Sequence, residues 1–147
     1  MRHGQAGNDF PDEIRALTSR GEKEVLQVAK FLQSQKTHLC ALWHSPLTRA
    51  CQTANIVGNV LKPKNPPQIK SGFSPNDSAQ IAVDAIEEFF IKVQNQNLFI
   101  VSHLPLLPQI VELMIGKNVS FQTSNCLVLL QDEKKKWIVH DMIRQTS

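Results

Sequence analysis

The chain has 147 residues, a formal net charge of +3, 41% hydrophobic residues and 20% charged residues, which fits a single domain over residues 1–147 with a self-sufficient core. No apolar run reaches the roughly 18 residues of a membrane span; no secretory signal is expected from the opening residues, a soluble cytoplasmic protein is the expectation, and the charge is too small to argue for nucleic acid. Cys40, Cys51 and Cys126 are far apart without CxxC spacing, which indicates buried reduced thiols rather than a disulfide framework or a zinc site.

In chain order, Val25, Val28, Ala29 and Leu32 recur at helical spacing and predict a helix from about Gly21 to Gln35. Leu39 to His44 is an apolar run of strand length. Ser45-Pro46 then reads as an N-cap with proline at the first helical position, opening a helix with Ala50, Ala54, Val57 and Leu61 on one face. A proline-rich connection from Pro63 to Pro75 follows, with a short strand around Gln68–Ser71. Asn76 or Asp77 is expected to cap the next helix, whose stripe includes Ile81, Ala85, Ile86, Phe89 and Val93, with Glu87 and Glu88 solvated. Leu98–Ser102 predicts a buried strand with His103 at its end, and Pro105 to Ile115 a helix stopped by Gly116. Cys126–Leu130 and Trp137–Ile143 predict two strands joined by a solvated turn at Lys134, Lys135 and Lys136.

Strands alternating with helices imply an α/β sheet covered on both faces. Ligands of such sheets bind beyond the carboxyl ends of the strands. His103 and the Ser45–Arg49 turn fall in that zone, and Arg2-His3-Gly4 joins them if Met1 ends a strand. The zone thus gathers two imidazoles and two or three guanidiniums. An arginine fork matches phosphate oxygens and stays charged at any working pH. A neutral imidazole is a competent nucleophile towards phosphorus once its tautomer is held. Taken singly, each has a plainer explanation: a structural histidine, a solvated arginine, a turn glycine with positive φ at Gly4. His44 and Trp43 read as strand-end and core residues, and Trp137 as core or interface.

Together these residues resemble a known pattern. Met1-Arg2-His3-Gly4-Gln5-Ala6 is similar to the RHG signature of the histidine phosphatase superfamily, the phosphoglycerate-mutase-like enzymes. Leu17-Thr18 followed by Gly21 resembles its LTxxG segment, and Ser45 to Ala54 its SPxxRAxQTA element. Val101-Ser102-His103 matches the strand that delivers the second histidine. Within the superfamily the short length, and Ser102 to Leu106 leading straight into a helix, resemble the compact phosphohistidine phosphatases of the SixA type. Pro63–Asp77 is the only candidate for a substrate lid, and it is short.

The resemblance implies a three-layer αβα sandwich with a mostly parallel sheet. It implies a phosphohistidine phosphatase in which His3 attacks phosphorus, Arg2 and Arg49 clamp its oxygens, His103 holds another oxygen, and Arg15 and Gly4 add substrate contacts. No metal or cofactor is implied, because guanidiniums serve in place of a magnesium ion. The implied partner is a phosphorylated histidine protein, such as a histidine phosphotransfer domain, met by a monomer. A phosphohistidine leaves as an imidazole, which needs less acid assistance than an alkoxide. The absence of an assignable acid among Asp77, Glu87 and Glu88 therefore favours that substrate.

The family's first strand ends at RHG, whereas here only Met1 precedes it. That strand is expected to be missing or reduced, with a start lying upstream. Neighbouring backbone groups would then go unpaired. A small-molecule phosphomonoesterase or mutase-like enzyme is the alternative within enzymes. An inactive phosphate- or phosphoprotein-binding module is the alternative outside them.

Overall fold

The computed structural model of the chain describes residues 1–146. Three parallel strands form its centre in the order β2-β1-β3: β1 (Ala41–His44), β2 (Gln68–Ile69) and β3 (Leu98–Val101). Two further strands, β4 (Cys126–Gln131) and β5 (Trp137–Ile143), pair antiparallel with a bulge between Val128 and Leu129. Four helices connect or flank them: α1 (Ser19–Ser34), α2 (Thr48–Leu61), α3 (Ala79–Lys92) and α4 (Leu106–Ile115).

Every residue of β1 is buried, as expected of a central strand covered on both faces. Alternation sorts the side chains of the parallel strands between two cores. Leu42, Phe99 and Val101 join Val25, Val28, Ala29 and Leu32 of α1 and Ala50, Ala54 and Val57 of α2. Trp43, Leu98 and Ile100 meet Ala82, Val83 and Ile86 of α3 and Leu106 and Ile110 of α4. Thus α1 and α2 cover one face, and α3 and α4 the other. This is the three-layer, mostly parallel α/β arrangement implied by the motifs.

Where the first strand was expected to be missing or reduced, a short ribbon stands in its place. Met1 to His3 run parallel beside the end of β3: Ser102 N–H donates to the Met1 carbonyl at 3.0 Å, and His3 N–H to Ser102 at 3.1 Å. The other edge of this ribbon reaches the segment before β4, with Arg2 N–H donating to Asn125 and Ser124 N–H to the His3 carbonyl. The backbone of His3 is therefore held on both sides, by Ser102 and by Ser124. At the opposite end of the strands, a cavity of about 730 Å³ is lined by Leu98 and Phe99 on one side and Leu127 to Gln131 on the other.

Several boundaries differ from the sequence expectation. Ser45 does not cap α2; that helix opens at Thr48, after an uncapped Leu47, because the serine hydroxyl is engaged elsewhere. Ser78, rather than Asn76 or Asp77, caps α3 by accepting from Ile81 N–H. Asp77 instead closes a turn by accepting from Ser74 N–H at 2.9 Å. The buried stripe of α3 is Ala82, Val83 and Ile86, with Ile81 exposed. Glu87 is half-buried and accepts from Trp137 Nε1 at 2.9 Å, so it is not merely solvated; Glu88 is exposed and pairs with Lys92. The lysine turn forms as expected, organised by Asp132, which accepts from Lys134 and Lys136 N–H.

Candidate active site

Three of the sequence motifs converge where the carboxyl ends of the strands meet the Met1–His3 ribbon. The rings of His3 and His103 lie against each other with centroids 5.0 Å apart and planes tilted by 50°. Arg49, the second residue of α2, reaches the same place, and its Nε donates to His3 Nε2 at 3.3 Å. Arg2 lies on the ribbon itself, with its Nη1 anchored on the Phe121 carbonyl at 3.0 Å. Arg15 approaches along the loop between the ribbon and α1, tethered by Nε to the Gly7 carbonyl at 2.7 Å.

The bonds of His3 assign its tautomer. Its Nδ1 is 2.7 Å from the Gly4 carbonyl, which only accepts, so Nδ1 carries the proton. Its Nε2 faces an arginine N–H, which only donates, so Nε2 carries a lone pair. Burial disfavours the imidazolium, and the nearby cations of Arg49, Arg2 and Arg15 add to that against the opposing Gly4 bond. The pKa falls to about 4, leaving the ring neutral at pH 7. His103 is pushed down to about 3, by burial first and then by His3 and Arg49. The guanidinium of Arg2 is also lowered, by burial and by Arg15 and Arg49.

Local packing explains why the motif residues stand where they do. A Cβ on Gly21 would lie 2.2 Å from the Gln5 carbonyl, so only glycine lets the start of α1 seat against the loop after His3. Thr18 completes that seat: its N–H donates to Gln5, and its hydroxyl caps α1 by accepting from Gly21 N–H. Gly4 packs as closely, since a Cβ there would meet Val25 at 2.7 Å. It is not the positive-φ turn glycine of the plainer reading. Its N–H is already given to Thr53 Oγ1 at 3.0 Å, so what it offers the site is the carbonyl that holds His3 rather than a free substrate-binding amide. Thr53 in turn donates to the Arg49 carbonyl. Gln52, also on α2, accepts from Leu17 N–H.

One site residue escaped the sequence reading. Asp12, in a single turn of 3₁₀ helix (Asp12–Ile14), pairs with Arg15 at 3.1 Å and with Arg49 at 3.2 Å, and its carbonyl accepts from Arg49 Nη1. The Arg15 bond, with Arg49 behind it, holds this carboxyl below its usual range. No periodicity marks a one-turn helix, and only the spacing of Asp12 to Arg15 could have signalled the pair. His44 is buried and donates from Nδ1 to the Ser45 carbonyl, a structural role at the strand end. Asp77 and Glu87 are bonded elsewhere, as described.

Comparison with known proteins agrees with this geometry. The family model described as histidine phosphatase superfamily (branch 1) matches residues 1–73. The chain is 30% identical to phosphohistidine phosphatase SixA of Escherichia coli (strain K12), over 86% of this chain and 80% of that protein. It is 34% identical to the phosphohistidine phosphatase SixA homolog of Haemophilus influenzae, over 95% of this chain and 90% of that one. A structure of the protein histidine phosphatase SixA complexed with tungstate superposes with a TM-score of 0.90 at 25% identity, covering 98% of this chain and 94% of that chain.

Proposed function

We infer, for a chain that belongs to the histidine phosphatase superfamily and sits among its SixA-type members, a phosphohistidine phosphatase working through a phospho-His3 intermediate. The observation that carries the reading is the neutral His3 ring with a bare Nε2 set among Arg2, Arg49 and Arg15 and lying against His103. Tungstate is a tetrahedral oxyanion like phosphate, and its presence in the related SixA structure supports an oxyanion ligand for this chain.

In the proposed reaction His3 Nε2 attacks phosphorus in line with the substrate P–N bond. A new P–N bond forms to His3 as the old one breaks, and the substrate imidazole leaves with the electron pair. Arg2 and Arg49 hold the equatorial oxygens, with Arg15 in support, and His103 gives a further hydrogen bond. Water then attacks phospho-His3, releasing phosphate and restoring the ring. Such transfers depend mostly on positioning and charge neutralisation.

The substrate class follows from the acid. The carboxylate that reaches the site is Asp12, and two arginines hold it ionised, so it is a poor proton donor near pH 7. A sugar alkoxide would need such a donor; an imidazole, protonated by solvent on its distal nitrogen, does not. Exposed apolar side chains next to the site residues also favour a protein substrate: Phe10, Ile14 beside Arg15, and Leu104 beside His103. We therefore take the partner to be a phosphorylated histidine protein, such as a histidine phosphotransfer domain, met by a cytoplasmic monomer without a cofactor; sedimentation tests the monomer.

The test is incubation with a radiolabelled phosphohistidine protein, comparing the chain with His3→Ala and with sugar phosphates as competing substrates. Label should leave the donor, pass transiently to the chain, and do neither with His3→Ala. Faster turnover of the sugar phosphates would overturn the substrate assignment, and loss of label without His3 would overturn the nucleophile.

A further inference from the structure

Ser45 is wholly buried just beyond β1, and its Oγ lies 2.5 Å from His103 Nε2. The same oxygen accepts the Leu47 N–H at 3.3 Å. His103 is buried as well, and its Nδ1 has no partner among the described residues. Either group could in principle donate across the Ser45–His103 contact, and the donor count decides between them.

Suppose Nε2 carried the ring proton and gave it to Oγ. The serine hydroxyl proton would then be buried without an acceptor, which carries a desolvation penalty. The bare Nδ1 would also be a buried lone pair without a donor. The opposite polarity leaves one buried group without a partner in place of two. Leu47 N–H donates to Oγ, Oγ–H donates to Nε2, and Nδ1–H remains as the ring's free donor.

We propose that Ser45 is a positioning residue that holds His103 as its Nδ1–H tautomer, so that this N–H is presented to a phosphoryl oxygen. The two adjacent rings then have opposite tasks. Gly4 takes the Nδ1 proton of His3 and leaves a bare nitrogen for attack, while Ser45 fills Nε2 of His103 and leaves an N–H for binding. The buried serine that fails to cap α2 thereby has an assigned task. The tautomer stands on geometry alone, and its catalytic consequence rests on the phosphatase reading.

Imidazole ¹⁵N spectra of the labelled chain at pH 7 read both rings directly. The expected result is His103 protonated at Nδ1 and bare at Nε2. In Ser45→Ala the His103 signals should shift towards the other tautomer or a mixture, with those of His3 unchanged as the internal control. Turnover of a phosphohistidine protein by Ser45→Ala should fall about 10- to 100-fold in kcat, with KM changed by less than about threefold, the range for outer partners that orient a functional histidine. His103 found protonated at Nε2 in the parent chain overturns the proposal, even if Ser45→Ala does not fold. So does a Ser45→Ala variant that loses turnover with its His103 tautomer unmoved, since the serine would then be merely structural. A chain with the expected tautomer that turns over no phosphohistidine leaves the positioning intact and refutes the phosphatase reading instead.

Discussion

Burying neutral histidines makes the fold sensitive to acid in a calculable way. An unfolded imidazole titrates near 6.5, whereas His3 in the native chain titrates near 4. Above pH 6.5 both states are neutral and no penalty arises. Below 6.5 the unfolded chain takes a proton that the native chain refuses, so stability falls as pH falls until the native value of about 4 is reached. The slope is about 1.4 kcal/mol per pH unit for one such histidine, and the loss at pH 5 is about 2 kcal/mol. His103, lowered to about 3, adds a loss of the same sign and similar size over this range.

Urea unfolding of the chain and of His3→Gln at intervals from pH 7.5 to 5 isolates the His3 contribution, because groups common to both chains largely cancel. Glutamine keeps a neutral polar side chain of similar length. Between pH 6 and 5 the parent should lose about 1.2 kcal/mol more than the variant. Parallel curves would show that His3 titrates in the native state as it does in the unfolded chain, and its lowered pKa would have to be abandoned.

Three further outcomes are expected. Arg49→Lys removes both the N–H at His3 Nε2 and the planar fork, and steady-state kinetics should show kcat lowered about 10²- to 10³-fold; a change below tenfold would refute its role. Asp12→Asn frees Arg15 and Arg49 from their carboxylate, so tungstate or phosphate should bind several-fold tighter by calorimetry, and weaker binding would show that Asp12 instead orients the arginines. Phe10→Ser should raise KM for a phosphohistidine protein several-fold while leaving turnover of a small phosphoramidate unchanged, and equal effects on both would deny Phe10 a docking role.

The central layers were legible because periodicity survives in the residues that make them. Val25, Val28, Ala29 and Leu32 lie on the buried face of α1 as their spacing predicts, and the β1 and β3 runs are central strands. The helix starts were less legible. Ser45-Pro46 has the composition of a cap, but a buried hydroxyl follows the strongest available partner, and here that is His103. Ser78 outcompeted Asp77 because Asp77 was already closing its own turn. The two histidines and two of the arginines announced themselves through motif order, whereas Asp12 did not. Its pairing with Arg49 crosses 37 residues of sequence, and such contacts leave no local trace.

In the proposed reaction the arginines of this site act on the nucleophile as well as on the anion. Burial alone would lower the proton affinity of His3, and Arg49, Arg2 and Arg15 lower it further, against the Gly4 bond. The same cations that attract a phosphoryl group therefore keep the lone pair on Nε2 available before it arrives. Asp12 opposes them only from the exposed rim, where its charge is partly screened. The same arginines hold the Asp12 carboxyl ionised, so the proposed reaction suits a leaving group that departs without a strong acid, as the imidazole of a phosphohistidine does.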